Sequence, residues 1–140
     1  MKEVYGDLWQ EPADVRAITT NAVVKENGQA VMGKGIALQA RKRYPGVDQK
    51  LGQLLKDKGN HVHLLALDLV SFPVKDDWRA PAQLSLIKRS AEELVTLAGT
   101  HGWEKIVIPR PGCGAGQLTW AEVRPLLAPI LDDRFWIIEL

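Results

Sequence analysis

The sequence predicts a three-layer α/β/α domain with helices on both faces of a mixed central sheet. Two observations predict this class. Apolar segments of strand length alternate with segments of helical periodicity along the chain, which is typical of a sheet whose strands are connected by helices. Two short apolar segments in the middle of the chain are joined by a tight turn near Asp68, which adds an antiparallel pair to the sheet.

The first sixty residues predict two strands, a loop or small hairpin, and two helices. The strands mix β-branched and apolar residues, and the hairpin has a Lys-Glu-Asn-Gly turn signal between short apolar stretches. The helices are ended by a Pro-Gly pair and a Gly-Asn pair. In chain order these elements span residues 1–5, 15–20, 23–31, 35–44 and 47–58.

The remaining residues predict the antiparallel strand pair, two more helices and two more strands. Leucine, isoleucine and alanine at helical spacing predict the longer helix, and a Thr119–Glu122 capping box predicts the start of the last helix. Pro129 is expected to kink or end that helix. In chain order these elements span residues 61–66, 69–72, 82–98, 103–108, 119–131 and 135–140.

Composition predicts an ordinary globular protein. At 140 residues, 46% hydrophobic and 25% charged, the chain fits one domain over residues 1–140. The single cysteine excludes an internal disulfide, and no long apolar span or N-terminal apolar region indicates a membrane helix or a signal peptide. We therefore expect a cytoplasmic monomer with no membrane partner.

The formal net charge of +1 argues against a domain built mainly to coat nucleic acid, because phosphate-driven binding needs a basic excess or a basic stripe. The run from Lys34 to Arg41, Lys42 and Arg43 leaves a local basic patch open. A solvated helix face is the more common explanation for such a run.

Two glycine-rich stretches, 32–37 and 109–117, each follow a predicted strand or hairpin and lead into a predicted helix. Glycine allows a positive φ and a close approach of backbone N–H groups to a ligand, and a helix N-terminus adds unpaired N–H groups. Both stretches are expected at the carboxyl edge of the sheet, together with Asn21. The expected ligand group is a phosphate or diphosphate.

Known nucleotide motifs do not fit these stretches. Residues 28–34 match the start of a P-loop, but Gly35 stands where the Mg²⁺-binding Ser or Thr belongs, and Leu38 replaces the third small residue of a dinucleotide fingerprint. Cys113 is a weaker candidate nucleophile, since no histidine is placed at the same edge. Spacing also leaves two roles open for Asp7, a helix N-cap or an acceptor for a ligand amine.

The opening Gly6-Asp7-Leu8, together with Asn21 and both glycine stretches, resembles the macro domain family over nearly the whole chain. The resemblance implies ADP-ribose binding, with Asp7 accepting from the adenine amine and Asn21 beside the distal ribose. It implies no cofactor and no metal. The implied ligand contacts are Asp7, Leu8, Asn21, Gly33, Lys34, Gly35, Ile36, Ala37, Pro109, Gly112, Cys113, Gly114, Ala115, Gly116, Gln117 and Leu118.

The first glycine stretch and the segment 72–75 followed by Trp78 and Arg79 resemble one branch of that family. The branch contains the terminal ADP-ribose protein glycohydrolase and antitoxins that remove ADP-ribose from thymidine in DNA. The resemblance implies that Lys75 is catalytic, with Asn21 as the second catalytic candidate. Gly116 stands where the glycohydrolase has an aspartate, which favours the antitoxin type.

The expected partner is thus ADP-ribose, free or attached to DNA or protein. The expected reaction is release of ADP-ribose from a modified DNA base or a protein carboxylate, with attack by the Lys75 amine on C1″ or on the ring-opened aldehyde. The alternative is a reader that binds ADP-ribose without turnover, which the missing acid at Gly116 supports.

Overall fold

The computed structural model describes residues 1–140 and contains six strands and four helices. The strands are β1 (Lys2–Tyr5), β2 (Val15–Thr20), β3 (Leu64–Ala66), β4 (Leu69–Pro73), β5 (Ile106–Pro109) and β6 (Phe135–Glu139). The helices are α1 (Gly35–Arg43), α2 (Val47–Lys58), α3 (Leu84–His101) and α4 (Trp120–Leu127).

All six strands form one sheet in the order β1-β6-β5-β2-β4-β3. Every neighbouring pair is parallel except β3 and β4, which are antiparallel. The predicted mixed sheet is therefore confirmed. Since β2 lies between β4 and β5, the carboxyl ends of these three parallel strands meet at one edge of the sheet.

Two hydrophobic cores cover the two faces of the sheet, which confirms the three layers. Strand β5 shows the alternation, because Ile106 and Ile108 pack into one core and Val107 into the other. The first core takes residues from α3 and α4: Ile87, Ala91, Leu94, Ala98, Val123 and Leu127. The second takes residues from α1 and α2: Ile36, Ala40, Val47, Leu51 and Leu55.

Several element ends differ from the predicted ones, and the larger differences have local reasons. Strand β5 begins at Ile106 and not at 103, because the N–H groups of Glu104 and Lys105 donate to the Asp14 carboxylate (2.8 and 3.0 Å). Strand β3 begins at Leu64 and not at 61, because the N–H groups of Val62 and His63 donate to the side chains of Glu93 and Ser71 (both 2.9 Å). Helix α3 passes the predicted end and stops at Gly102, whose φ of 67° allows the paired terminal hydrogen bonds of a Schellman motif.

The last helix is shorter than predicted. Thr119 and Glu122 form the expected capping box, but α4 ends at Leu127, and the N–H groups of Ile130 and Leu131 both donate to the Leu127 carbonyl oxygen. The prediction that Pro129 kinks or ends the helix is confirmed, because Pro129 has no N–H to donate to the next helical hydrogen bond. No helix of the chain combines the length and the apolar content that a membrane span needs.

Candidate functional site

A cleft of about 440 Å³ lies at the carboxyl ends of β2, β4 and β5. The cleft is built from one chain, and both glycine stretches form its walls, as the sequence predicts. The predicted contacts that line it are Asn21, Gly33, Lys34, Gly35, Ile36, Ala37, Lys75, Pro109, Gly112, Gly114, Ala115 and Gly116.

The first glycine stretch turns directly into α1. Gly35, the first residue of the helix, has a φ of 55°, and a Cβ at Gly33 or Gly35 would meet no atom within 4 Å. The first turn of α1 carries no acidic residue, and Lys34 makes no side-chain cap. The N–H groups at this helix end are therefore left for an anion in the cleft.

Backbone hydrogen bonds hold the second glycine stretch in a compact loop. The Leu118 N–H donates to the Gly112 carbonyl oxygen (2.9 Å) and the Ala82 N–H to the Gly116 carbonyl oxygen (2.9 Å), while Gly112 has a φ of 75°. A Cβ at Gly116 would lie 2.6 Å from the Gly112 oxygen. No side chain fits at position 116 without moving this loop, whereas Gly114 is open.

Asn21 links the end of β2 to the first glycine stretch. Its Nδ2 donates to the Val31 carbonyl oxygen (3.1 Å), and its Oδ1 accepts from the Val23 N–H (2.9 Å). The amide group is thereby held in one orientation at the cleft. One of its two N–H groups has no protein partner and can donate to a ligand.

Lys75 lies two residues beyond β4, where the Val74 N–H still donates to the Thr20 carbonyl oxygen (3.1 Å) and continues the sheet. The Lys75 residue is 8% exposed. Its Nζ donates to the Ala115 carbonyl oxygen at 3.5 Å, and no carboxylate lies within ion-pair distance. The amine thus reaches across the cleft to the second glycine stretch without a neutralising partner.

The charged groups of the cleft are all basic. Lys34, Lys75 and Arg110 line it, and no aspartate or glutamate does. Arg110 is paired outside the cleft with Glu139 (3.2 Å) and lies 5.0 Å from the centre of the Trp120 ring. The two lysines therefore give the cleft an unbalanced positive charge, which favours an anionic ligand.

Asp7 and Leu8, which the resemblance places near the adenine, do not line the cleft. The Asp7 carboxylate accepts from the Trp9 N–H (2.8 Å) and stabilises the turn that follows β1. The helix N-cap alternative is wrong, because no helix begins there. Leu8 is fully buried in the core beside α1 and α2. Their role in binding the adenine stays a prediction.

Cys113, Gln117 and Leu118 belong to the second stretch but also do not line the cleft. The Cys113 thiol lies 3.5 Å from the Pro111 carbonyl oxygen, and burial raises the pKa of that thiol. Gln117 has a φ of 67°, unusual for a residue with a side chain. Their place as ligand contacts stays a prediction too.

Sequence reasoning missed part of the lining. The missed residues are Thr19, Thr20, Val31, Met32, Val74, Trp78, Arg110 and Leu140. Half of them directly adjoin a predicted contact in the sequence, so the neighbours of predicted contacts were the available signal. Two stand out chemically: the buried Thr20 hydroxyl has no hydrogen-bond partner, and Trp78, 47% exposed, lies under the Arg79 guanidinium.

Comparison with known proteins adds three similarities, although no protein-family model matches the chain. The chain is 32% identical over 132 residues to a DNA ADP-ribosyl glycohydrolase of Mycobacterium tuberculosis, in a match that covers 87% of the chain and 36% of that relative. The chain thus spans about a third of the length of this curated relative.

The other two similarities are to solved structures. The macrodomain of Mycobacterium tuberculosis DarG superposes with a TM-score of 0.81 at 29% identity, covering 98% of this chain and 96% of that one. The structure of Thermosipho africanus DarTG in complex with ADP-ribose superposes with a TM-score of 0.80 at 21% identity, covering 100% of this chain and 42% of that one. The latter match concerns the fold alone.

Proposed function

Because this chain belongs to the macrodomain family and is of the DarG type, we propose that it binds ADP-ribose in the cleft and releases it from ADP-ribosylated DNA. The observation that carries the proposal is the position of the Lys75 amine. It is buried between the two glycine stretches, 3.5 Å from the Ala115 oxygen, and has no carboxylate partner.

The two glycine stretches suit the diphosphate of ADP-ribose. The open first turn of α1 offers N–H groups from one side, and the Lys34 ammonium adds a positive charge there. The second stretch faces it with Gly114 and Ala115, whose small side chains leave room for the ligand. The distal ribose would then lie between Asn21 and Lys75.

DNA is proposed as the carrier of the ADP-ribosyl group because the curated relative at 32% identity is named a DNA ADP-ribosyl glycohydrolase. The cleft is open to solvent at its rim, where Trp78 is half exposed. An aromatic face at this position can stack on a base next to the ribose.

In the proposed reaction the Lys75 nitrogen forms a bond to C1″ of the distal ribose. The bond from C1″ to the base breaks, and the leaving base takes up a proton. Water then cleaves the C1″–nitrogen bond, which frees ADP-ribose and restores the amine. The free N–H of Asn21 is placed to orient the ribose during both steps.

The proposed reaction does not require an aspartate paired with Lys75. A side chain at Gly116 would collide with the Gly112 oxygen and with Ala82, so an acid at this position would displace the second stretch. The same observation supports the second candidate function, a reader that binds ADP-ribose without turnover. Turnover by wild-type protein distinguishes the two functions.

The test of the proposal is a pair of substitutions at Lys75. Lys75→Ala should lower kcat on ADP-ribosylated DNA by several orders of magnitude and change ADP-ribose affinity only a few-fold, because the nucleophile acts in the transition state. Lys75→Arg should fail equally, since a guanidinium stays protonated. Lys88→Ala, which removes an exposed and unpaired lysine on α3, is the control.

Opening of the ribose ring converts the C1″–nitrogen adduct into a Schiff base, which borohydride reduces. Borohydride added during turnover should therefore trap a covalent adduct on wild-type protein and on Lys88→Ala, but not on either Lys75 variant. ADP-ribose affinity and the melting temperature report whether each variant is folded. Near-wild-type hydrolysis by Lys75→Arg would show that the amine is not the nucleophile.

A further inference from the structure

The net charge of +1 is the sum of one part of the chain with an excess of basic residues and another with an excess of acidic residues. Residues 25–58 contain eight lysines and arginines and only three aspartates and glutamates. The rest of the chain contains ten and fourteen, respectively. Residues 25–58, called the basic layer below, include α1 and α2 and cover one face of the sheet.

The cations of the basic layer are also unpaired. None of its eight lysines and arginines forms an ion pair, and seven of them are exposed. Six of the ten in the rest of the chain are paired with carboxylates: Arg79, Arg89, Lys105, Arg110, Arg124 and Arg134. The basic layer therefore has a net formal charge of +5 (eight minus three) with no cation in an ion pair, whereas the rest of the chain has a net charge of −4 (ten minus fourteen) and most of its cations are paired.

The three acidic residues of the basic layer, Glu26, Asp48 and Asp57, offset only part of this charge, since eight basic minus three acidic residues leave a net +5. Asp48 is buried at the start of α2, and its carboxylate accepts from the N–H of the next residue. Asp57 accepts from the side chain of Gln53 (2.9 Å). A helix face that serves only for solvation usually mixes both signs at i, i+4 spacing, and here such ion pairs are missing.

The basic layer adjoins the cleft through the start of α1, and the residues after α2 contact the backbone of Lys75. Helix α1 starts in the cleft at Gly35 and leads away, and α2 leads toward Asn60, whose Nδ2 donates to the Lys75 carbonyl oxygen (3.3 Å). The twelve residues of α2 span about 18 Å at a rise of about 1.5 Å per residue. That length corresponds to about five nucleotides at an axial rise of about 3.4 Å each.

On α2, Lys50 and Lys56 lie away from the side that packs into the core. Val47, Leu51 and Leu55 are buried against the sheet, whereas Lys50 and Lys56 are exposed. On α1, Ile36 and Ala40 face the core. The exposed sides of both helices thus carry basic residues, and α1 begins at the cleft.

From these observations we infer that the basic layer binds the sugar-phosphate backbone of the DNA strand that carries the ADP-ribosyl group. The inference rests on the proposed function, because DNA is the substrate only under that proposal. The ADP-ribose would occupy the cleft while the flanking phosphates lie along α1 and α2. Binding of this kind is electrostatic and therefore independent of base sequence.

The test compares two substrates that share the same ADP-ribosyl linkage. One is a single-stranded oligonucleotide with one ADP-ribosylated thymidine at its centre, and the other is the ADP-ribosylated thymidine nucleoside. Lys42→Glu and Lys50→Glu reverse exposed charges outside the cleft, and Lys88→Glu reverses an equally exposed, unpaired lysine on the opposite layer. For each protein, kcat/KM is measured on both substrates from 50 to 200 mM salt, a range over which phosphate contacts weaken strongly.

We expect wild-type protein to prefer the oligonucleotide at low salt and to lose this preference as salt rises. Lys42→Glu and Lys50→Glu should each lower kcat/KM on the oligonucleotide about five- to tenfold at 50 mM salt and reduce the salt slope by about 1. Neither should change kcat/KM on the nucleoside. Lys88→Glu should behave as wild type on both substrates.

Equal use of both substrates at low salt, or an equal effect of all three charge reversals, would overturn the inference. The inference would also be overturned if Lys42→Glu and Lys50→Glu lowered kcat/KM on an ADP-ribosylated acidic protein but not on the oligonucleotide. That result would indicate a protein partner. Failure of the proposed function looks different, because wild-type protein would then release no ADP-ribose from the nucleoside either.

Discussion

Gly114→Glu tests whether the second glycine stretch forms the ligand site. Gly114 lines the cleft, and a Cβ there would meet no atom within 4 Å, so the folded protein can accept the side chain. Gly35→Val should also abolish binding, but the φ of 55° at Gly35 adds backbone strain that complicates its interpretation. Gly114→Glu is therefore the better test, because it changes the ligand site without adding backbone strain.

The expected size of the effect follows from charge. We expect wild-type protein to bind free ADP-ribose with a micromolar Kd, about 8 kcal/mol. The Gly114→Glu carboxylate about 4 Å from a phosphate costs about 4 kcal/mol at an effective dielectric constant of about 20. Affinity should thus fall about a thousandfold, to the millimolar range.

Isothermal titration calorimetry measures this loss directly, with the melting temperature as a check on folding. Gly99→Glu is the matched control, because Gly99 is an exposed glycine of α3 with equally open surroundings and lies outside the cleft. It should bind ADP-ribose like wild type. Micromolar affinity in a folded Gly114→Glu variant would refute the assignment of the second stretch to the diphosphate and ribose.

Three further substitutions test separate parts of the site. Gly116→Asp should lower the free energy of unfolding by about 1–3 kcal/mol in thermal denaturation, because its side chain would collide with the Gly112 oxygen; an unchanged melting temperature would contradict this packing. Asp7→Ala should weaken ADP-ribose binding by about 1–3 kcal/mol in calorimetry, since it removes the proposed acceptor of the adenine amine; unchanged affinity would place Asp7 outside the site. Cys113→Ser should keep full turnover on ADP-ribosylated DNA, because the thiol lies against the Pro111 carbonyl oxygen and burial raises the pKa of the thiol. Loss of turnover would indicate that Cys113 is the nucleophile.

The fold was predictable where local signals decide the structure. Helix α2 and strand β2 have the predicted bounds, because a regular apolar pattern ends at a clear stop signal in each. The start of β3 was not predictable, since its preceding N–H groups bond to Glu93 and Ser71, which lie elsewhere in the sequence. The end of α3 depends on which of two glycines, Gly99 or Gly102, adopts the left-handed conformation.

The site was predictable to the extent that it consists of glycine stretches at strand ends. Only the family resemblance indicated that Lys75 is catalytic. The structure buries this lysine in the cleft. Trp78 and Leu140 line the same cleft through tertiary contacts that no local pattern reveals. The charge division also needed the structure, since it becomes a surface only when α1 and α2 are known to share one face.

The most direct test of the central claim is incubation of the wild-type protein with ADP-ribosylated DNA, followed by quantification of free ADP-ribose and of unmodified DNA. We predict that both products appear in equal amounts over many turnovers, and that Lys75→Ala releases neither while still binding ADP-ribose. Tight binding of ADP-ribose by wild-type protein with no product from ADP-ribosylated DNA would contradict the claim and leave the chain as a reader.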